Sequence, residues 1–156
     1  MCRKLGCIVL DADYAKGPKY PYPAAIDDAL DVLSYVASQP HRFDLSKVTM
    51  GGFSAGANIA ILAALHSANG PFPIKAIVAW YPPTNMNRRG SEDKELSPFI
   101  RWLHSAFRSS YLPDGIDRKD PRVSPLFADS RLFPSTTLIV RHLTRHPSNR
   151  LLTFAP

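Results

Sequence analysis

The residues of this sequence best placed to do chemistry are Gly52-Phe53-Ser54-Ala55-Gly56, a G-x-S-x-G set between a short β-favouring run, Lys47 to Met50, and an alanine-rich run, Ala57 to Ala68. A serine on so sharp a strand-to-helix turn takes a strained backbone conformation. Its neighbours must be small, because bulky side chains would collide with strand or helix, and Gly52 and Gly56 meet that need. Such a turn holds the Ser54 hydroxyl out at the carboxyl end of a strand. Beside it the Ala55 N–H points where negative charge would develop on an attacked carbonyl oxygen. That is the chemistry of a serine nucleophile. The same five residues also suit a glycine-rich turn whose serine merely caps the helix.

The elements that must position this turn are legible on either side of it. Cys7 to Leu10 reads as a short strand buried on both faces. A loop, Tyr14 to Pro23, leads to a helix carrying Ile26, Ala29, Leu30, Leu33 and Ala37 at spacings of three and four, with Asp27 and Asp28 early and Pro40 as its stop. Lys47 to Met50 is a second strand. The helix after it is apolar on most sides, which implies burial among other elements. Ile74 to Trp80 and Thr136 to Val140 supply two more strands. Strands alternating with helices of this length are βαβ units, hence an α/β fold with about four mostly parallel strands and right-handed crossovers. Residues 84–120 break the alternation as an insertion, with a helix capped by Ser97, opened by Pro98 and striped by Phe99, Leu103 and Phe107.

Composition bounds the rest. At 156 residues, 45% apolar and 21% charged, the chain is expected to form one domain. No run approaches the ~18 apolar residues of a bilayer helix. Cys2 and Cys7 are too few for a zinc site or a disulfide framework, so a reduced, cytoplasmic protein is expected. Fifteen prolines without a repeat mark many loops. The net charge of +6 gathers at Arg3 and Lys4 and at Arg141, Arg145 and Arg150, leaving the body nearly neutral. A contact of this basic tail with nucleic acid or an acidic membrane is disfavoured, because its cations are few and lack interleaved aromatics.

Four blocks occur in order: Cys7-Ile-Val-Leu-Asp-Ala-Asp-Tyr14, Pro21-Tyr-Pro-Ala-Ala-Ile-Asp-Asp28, Gly51-Gly-Phe-Ser-Ala-Gly56 and Asp120-Pro-Arg-Val-Ser-Pro-Leu126. Together they resemble the hormone-sensitive-lipase-like branch of the α/β-hydrolases, which includes arylacetamide deacetylase and many carboxylesterases. The resemblance covers about residues 5–140. It implies a partial α/β-hydrolase fold, Ser54 as nucleophile, Ala55 N–H as oxyanion donor, and residues 84–120 as part of a cap over an acyl pocket. Trp80, Tyr81, Phe99, Trp102 and Phe107 are candidate apolar walls of that pocket, with core packing the competing role for each. No metal or organic cofactor is implied.

The family order continues with an aspartate shortly after the strand matching Thr136 to Val140 and a histidine about thirty residues later. Here Val140 is followed by Arg-His-Leu-Thr-Arg-His-Pro, and neither acid nor base is visible. His142 and His146 read as surface residues of a divergent tail over 141–156. His66 lies twelve residues into the helix after Ser54, roughly 18 Å along its axis and out of reach. His41 follows the first helix. Only His104, on the insertion, could approach the pocket. The family's upstream His-Gly-Gly-Gly-type loop, which completes the oxyanion hole, does not precede Cys7, and the strand before it is also missing. That absence should leave a gap in the sheet or force two strands into direct pairing, with an aggregation-prone edge. A fragment truncated at both ends is therefore expected, with weak turnover or none. The competing function is a non-catalytic protein that keeps the pocket and binds a small apolar ligand.

Overall fold

In a computed structural model of the chain, the described residues are Lys4, 6–70, 73–87 and 97–140. The divergent tail over 141–156, with Arg141, His142, Arg145, His146 and Arg150, lies outside them, as do Cys2, Arg3 and part of the insertion.

The early apolar stripe forms helix α1, Ala24–Ala37, with Ala25, Ile26, Leu33 and Val36 buried. Asp27 sits in its first turn, where a carboxylate meets the positive end of the helix dipole. Asp28 has a second use: its Oδ2 accepts the Ala15 N–H at 2.6 Å, pinning the preceding loop to the helix. A 3-10 turn, Leu45–Lys47, then leads into strand β1, Thr49–Phe53. Helix α2, Ala55–Ser67, is buried continuously from Ala57 to Ala64, as its all-round apolarity predicts. Strand β2, Ala76–Trp80, helix α3, Pro98–Tyr111, and strand β3, Thr136–Val140, complete the order. Ser97 Oγ accepts the Ile100 N–H at 3.3 Å and Pro98 occupies the first turn of α3, so its start is the one that the sequence predicts.

The strands form one parallel sheet in the order β1-β2-β3. Register pairs Thr49 with Ala76 and Ala76 in turn with Thr136, and Phe53 with Trp80 and Trp80 in turn with Val140. The alternation of strand side chains then sorts the residues. Met50, Ile77, Ala79 and Ile139 face the helices and join Leu33, Val36, Ala57 and Ile61 in the main core. Phe53, Leu138 and Val140, on the other face, are 59%, 53% and 38% exposed.

Among the described residues the sheet has three strands rather than four. Cys7 to Leu10 is not a strand, and instead of being buried on both faces, Ile8, Val9 and Leu10 are 56%, 51% and 43% exposed. Apolar, β-favouring residues make a strand only where a ladder partner accepts their N–H and C=O groups, and no described strand does so here. Direct pairing of this segment with β1 does not occur, and β1 is left as an edge.

The start and the end of the insertion are tied together by the Asp120-Pro-Arg-Val-Ser-Pro-Leu126 block. Ser124 is fully buried; its hydroxyl donates to Arg118 O and accepts from Met86 N–H, both at 2.7 Å. Leu126 N–H donates to Thr84 O at 3.0 Å. Asp120 starts the turn, its carbonyl accepting from Val123 and Ser124 N–H. The Arg122 guanidinium and then the Arg122 N–H hold the Asp120 carboxyl below the usual carboxylate range. A depressed native pKa adds stability that is complete above the unfolded value of ~3.9 and is lost as pH falls through the native value. Asp120→Asn should therefore lower stability at neutral pH by less than about 1 kcal/mol. Urea titrations of variant and parent should converge by about pH 2.

Candidate active site

β1 ends at Phe53 and α2 begins at Ala55, so Ser54 alone makes the connection. One residue can reverse the chain from strand to helix only in an unusual conformation, and Ser54 has φ 49° and ψ −118°. For a residue with a Cβ, this costs of order 1–3 kcal/mol. The turn is fixed on both sides: Ser54 N–H extends the sheet by donating to Trp80 O at 2.9 Å, and Ser54 C=O accepts from Ala57 and Asn58 N–H in the first helical turn. The Ser54 side chain makes no capping hydrogen bond, and the residue is exposed. An ordinary capping serine would have extended backbone dihedrals and an Oγ bonded to an N–H of the first turn. Neither is present.

The two glycines of the pentapeptide differ. A Cβ on Gly52 would lie 2.6 Å from Gly56 C and 2.7 Å from Gly56 O, so the strand and the first helical turn touch backbone to backbone. A Cβ on Gly56 meets nothing within 4 Å among the described residues. The need for a small neighbour thus falls on Gly52. Ala55 is exposed at the amino end of α2, where helical N–H groups have no intrahelical acceptor. It sits where an anion would be favoured by those groups and by the helix dipole.

Around Ser54 the carboxyl edge of the sheet is aromatic. Phe53 stacks on Trp80 at 4.8 Å between ring centroids, and Tyr81 lies 6.1 Å from Phe53. Tyr81 has φ 40°, a second strained non-glycine residue one position beyond β2, and its N–H donates to Val140 O at 2.6 Å. Phe53 is 59% and Tyr81 56% exposed, while Trp80 is half-buried. Phe99, Trp102 and Phe107 project from α3, each 64% exposed, with Phe99 and Trp102 stacked on one another. The five candidate wall residues thus form two groups, one on the sheet edge and one on the insertion helix. A separate depression of about 560 Å³ is lined by Pro40 to Ser46 on the loop feeding β1, at the amino end of the sheet.

Sequence reasoning missed Asn58. It is 1% exposed, and its Nδ2 donates to Pro83 O at 2.8 Å, tying the loop after β2 to the helix that carries Ser54. A lone polar residue in the apolar run Ala57 to Ala64 is the signal that could have found it, because a buried amide needs a partner. His41, His66 and His104 are all exposed, and none forms a hydrogen bond with Ser54 among the described residues. The described residues hold no group of three His, Cys, Asp or Glu side chains able to bind a metal. None of their helices is long and apolar enough to cross a membrane.

Gly52→Ala should destabilise the fold by about 1–3 kcal/mol, since backbone must move to admit the methyl group. Gly56→Ala, free of contacts and helical, should raise stability by up to about 1 kcal/mol. Asn58→Leu should cost about 1–3 kcal/mol by stranding Pro83 O. Chemical denaturation of the three variants beside the parent checks all of this.

Residues 1–144 match the alpha/beta hydrolase fold family. The chain is 33% identical over 124 residues to the carboxylesterase NlhH of Mycobacterium tuberculosis, a match covering 76% of this chain and 39% of that protein. It is 27% identical over 163 residues to the gibberellin receptor GID1A of Arabidopsis thaliana, covering 92% and 46%. The solved hyperthermophilic esterase of Pyrobaculum calidifontis superposes with a TM-score of 0.71 at 29% identity, covering 81% of this chain and 43% of that one. The chain thus spans less than half the length of these relatives. A parallel sheet whose first strand turns through one strained serine into a buried helix, together with a family match over nearly its whole length, makes this chain a member of the alpha/beta hydrolase fold family.

Proposed function

We propose that this chain is, by lineage, a serine carboxylester hydrolase acting on short or medium acyl or aryl esters, with Ser54 as nucleophile. The observation that carries this reading is the strained, exposed, uncapped Ser54 at the amino end of α2. Its Oγ attacks the acyl carbon while its proton passes to solvent water, because the described residues place no imidazole or carboxylate against it, and water likewise protonates the departing alkoxide. The resulting oxyanion is stabilised by the Ala55 N–H and the positive end of the helix. Collapse releases the alcohol and leaves an acyl-serine, which water hydrolyses. Esterases among the relatives support the reaction class. Phe53, Trp80 and Tyr81 give the carboxyl edge an apolar surface for an acyl or aryl group.

A serine hydroxyl is a poor nucleophile until a base takes its proton, and the described residues place neither imidazole nor carboxylate against Ser54. Turnover by this chain should therefore fall roughly 10⁴- to 10⁶-fold below that of a site with all three triad members. A fluorophosphonate should label the chain slowly and at Ser54 alone, and mass spectrometry of the parent beside Ser54→Ala reads this out. Labelling that persists in Ser54→Ala refutes the assignment. Fast labelling dependent on Ser54 shows instead that a base is present and that the reduced turnover is wrong.

A second reading, a protein that binds a small apolar ligand without turnover, draws on the likeness to a relative named a receptor. It expects an ester or its acid product to raise the melting temperature equally in the parent and in Ser54→Ala.

A further inference from the structure

Among the described residues two non-glycine residues hold a positive φ, Ser54 at 49° and Tyr81 at 40°, and they stand side by side. Register pairs Phe53 with Trp80, so Ser54 and Tyr81 are the next positions on neighbouring parallel strands. Residues with a Cβ keep such a conformation only where their surroundings leave no alternative. Ser54 is held by its N–H on Trp80 O and by its C=O under the first turn of α2. Tyr81 is held on one side by its N–H on Val140 O. On its other side come Pro82 and Pro83, which have no N–H to donate. These two positions offer only acceptors, so a donor must reach the turn from elsewhere.

That donor is Asn58. Its Nδ2 donates to Pro83 O at 2.8 Å, and its backbone N–H donates to Ser54 O at 3.2 Å. Ser54 N–H donates in turn to Trp80 O at 2.9 Å. These three bonds and the segment from Trp80 to Pro83 close a ring that contains both strained residues. Asn58 lies one helical turn beyond Ser54 and is the single polar residue in the buried run from Ala57 to Ala64. At 1% exposure it meets no substrate. A buried amide costs more than an aliphatic side chain of similar size unless it makes a bond that the fold uses.

We infer that Asn58 is a positioning residue for the Ser54 nucleophile: its amide locks the Tyr81-Pro82-Pro83 turn to α2 and so fixes Ser54 Oγ relative to the carboxyl edge on which the acyl group lies. The inference rests on the reading of Ser54 as nucleophile. Without the amide, Pro83 O loses its donor, the turn keeps its tie at Tyr81 N–H alone of these two, and Ser54 gains room to relax toward ordinary dihedrals. A displacement of about 1 Å at a reacting atom slows bond formation by up to ~100-fold. The loss falls on the bond-forming step rather than on binding, because Phe53, Trp80 and Tyr81 still supply the apolar surface.

The test follows labelling of the full chain by a fluorophosphonate, in which Ser54 Oγ displaces fluoride from phosphorus and its proton leaves to water. Varying the probe concentration separates the limiting rate from the half-saturating concentration. Asn58→Leu, similar in volume but without a donor, should lower the limiting rate roughly ten- to hundredfold and shift half-saturation by less than about twofold. Asn58→Ala also lacks the donor and serves where Asn58→Leu does not fold. Asn58→Gln, which restores the amide on a longer stem, should recover to within about fivefold of the parent. Leu33→Ala removes core packing from α1 and should lower the melting temperature at least as far, yet label as the parent does while folded. In Asn58→Leu, hydrogen exchange at Tyr81 N–H should quicken at least about tenfold more than at Ile61 N–H, a local opening that uniform loss of stability does not produce. Equal labelling of Asn58→Leu and the parent overturns the inference, as does a rate that simply follows melting temperature across the variants, or exchange that quickens uniformly. A parent that is not labelled at Ser54 overturns the nucleophile reading itself, and this role with it.

Discussion

A single residue joins β1 to α2, and the rest of the site follows from that constraint. Helix α2 is buried from Ala57 to Ala64, between the sheet on one side and α1 with the tyrosine-rich loop on the other, so it cannot shift to ease the turn. Burying Ile59, Ile61 and Leu62 contributes roughly 1.5–3 kcal/mol each, well above the cost of holding one serine in a disfavoured conformation. The strain at Ser54 is therefore imposed by packing on both sides. The same packing removes the Cβ at position 52, because strand and helix touch there through backbone alone.

The loops leaving the carboxyl edge are held by a few polar ties. Ser54 and Tyr81 continue the strand ladder beyond the sheet proper, Asn58 fastens Pro83 to α2, and Ser124 joins the start of the insertion to its end. The buried Asn58 and Ser124 side chains replace hydration lost on burial with short, well-defined hydrogen bonds, which is why polar side chains occur there in otherwise apolar surroundings. They make the surroundings of Ser54 part of the scaffold. The insertion helix is anchored at its carboxyl end, where Tyr22 N–H donates to Tyr111 O, and Phe99, Trp102 and Phe107 remain outside the core.

The reading of the sequence succeeded where one local property sufficed. The stripe of α1, the uniform apolarity of α2, the β-branched run of β3 and the serine-proline start of α3 each specify their element within a few residues, because period and capping chemistry are local. It went wrong at Cys7 to Leu10, whose apolar, β-favouring residues are those of a strand but lack a partner in the described sheet. It also credited both glycines with relieving a clash that only Gly52 faces. The strand edges drifted for the same reason: Lys47 to Met50 is β-favouring, but pairing with β2 runs from Thr49 to Phe53.

What the sequence determined alone is the order of the three helices and of the three strands from Thr49 onward, and the presence of a serine between glycines at one strand-to-helix boundary, because hydrophobic period and residue size are written locally. Only the tertiary structure decided that Ser54 is strained and uncapped, that Gly52 rather than Gly56 supplies the clearance, that Asn58 holds the neighbouring loop, and that one face of the sheet and the aromatic stripe of α3 stay exposed. These depend on which distant segments come into contact. A strand needs a partner, a clash needs a neighbour and burial needs a cover, and all three are supplied by chain remote in sequence.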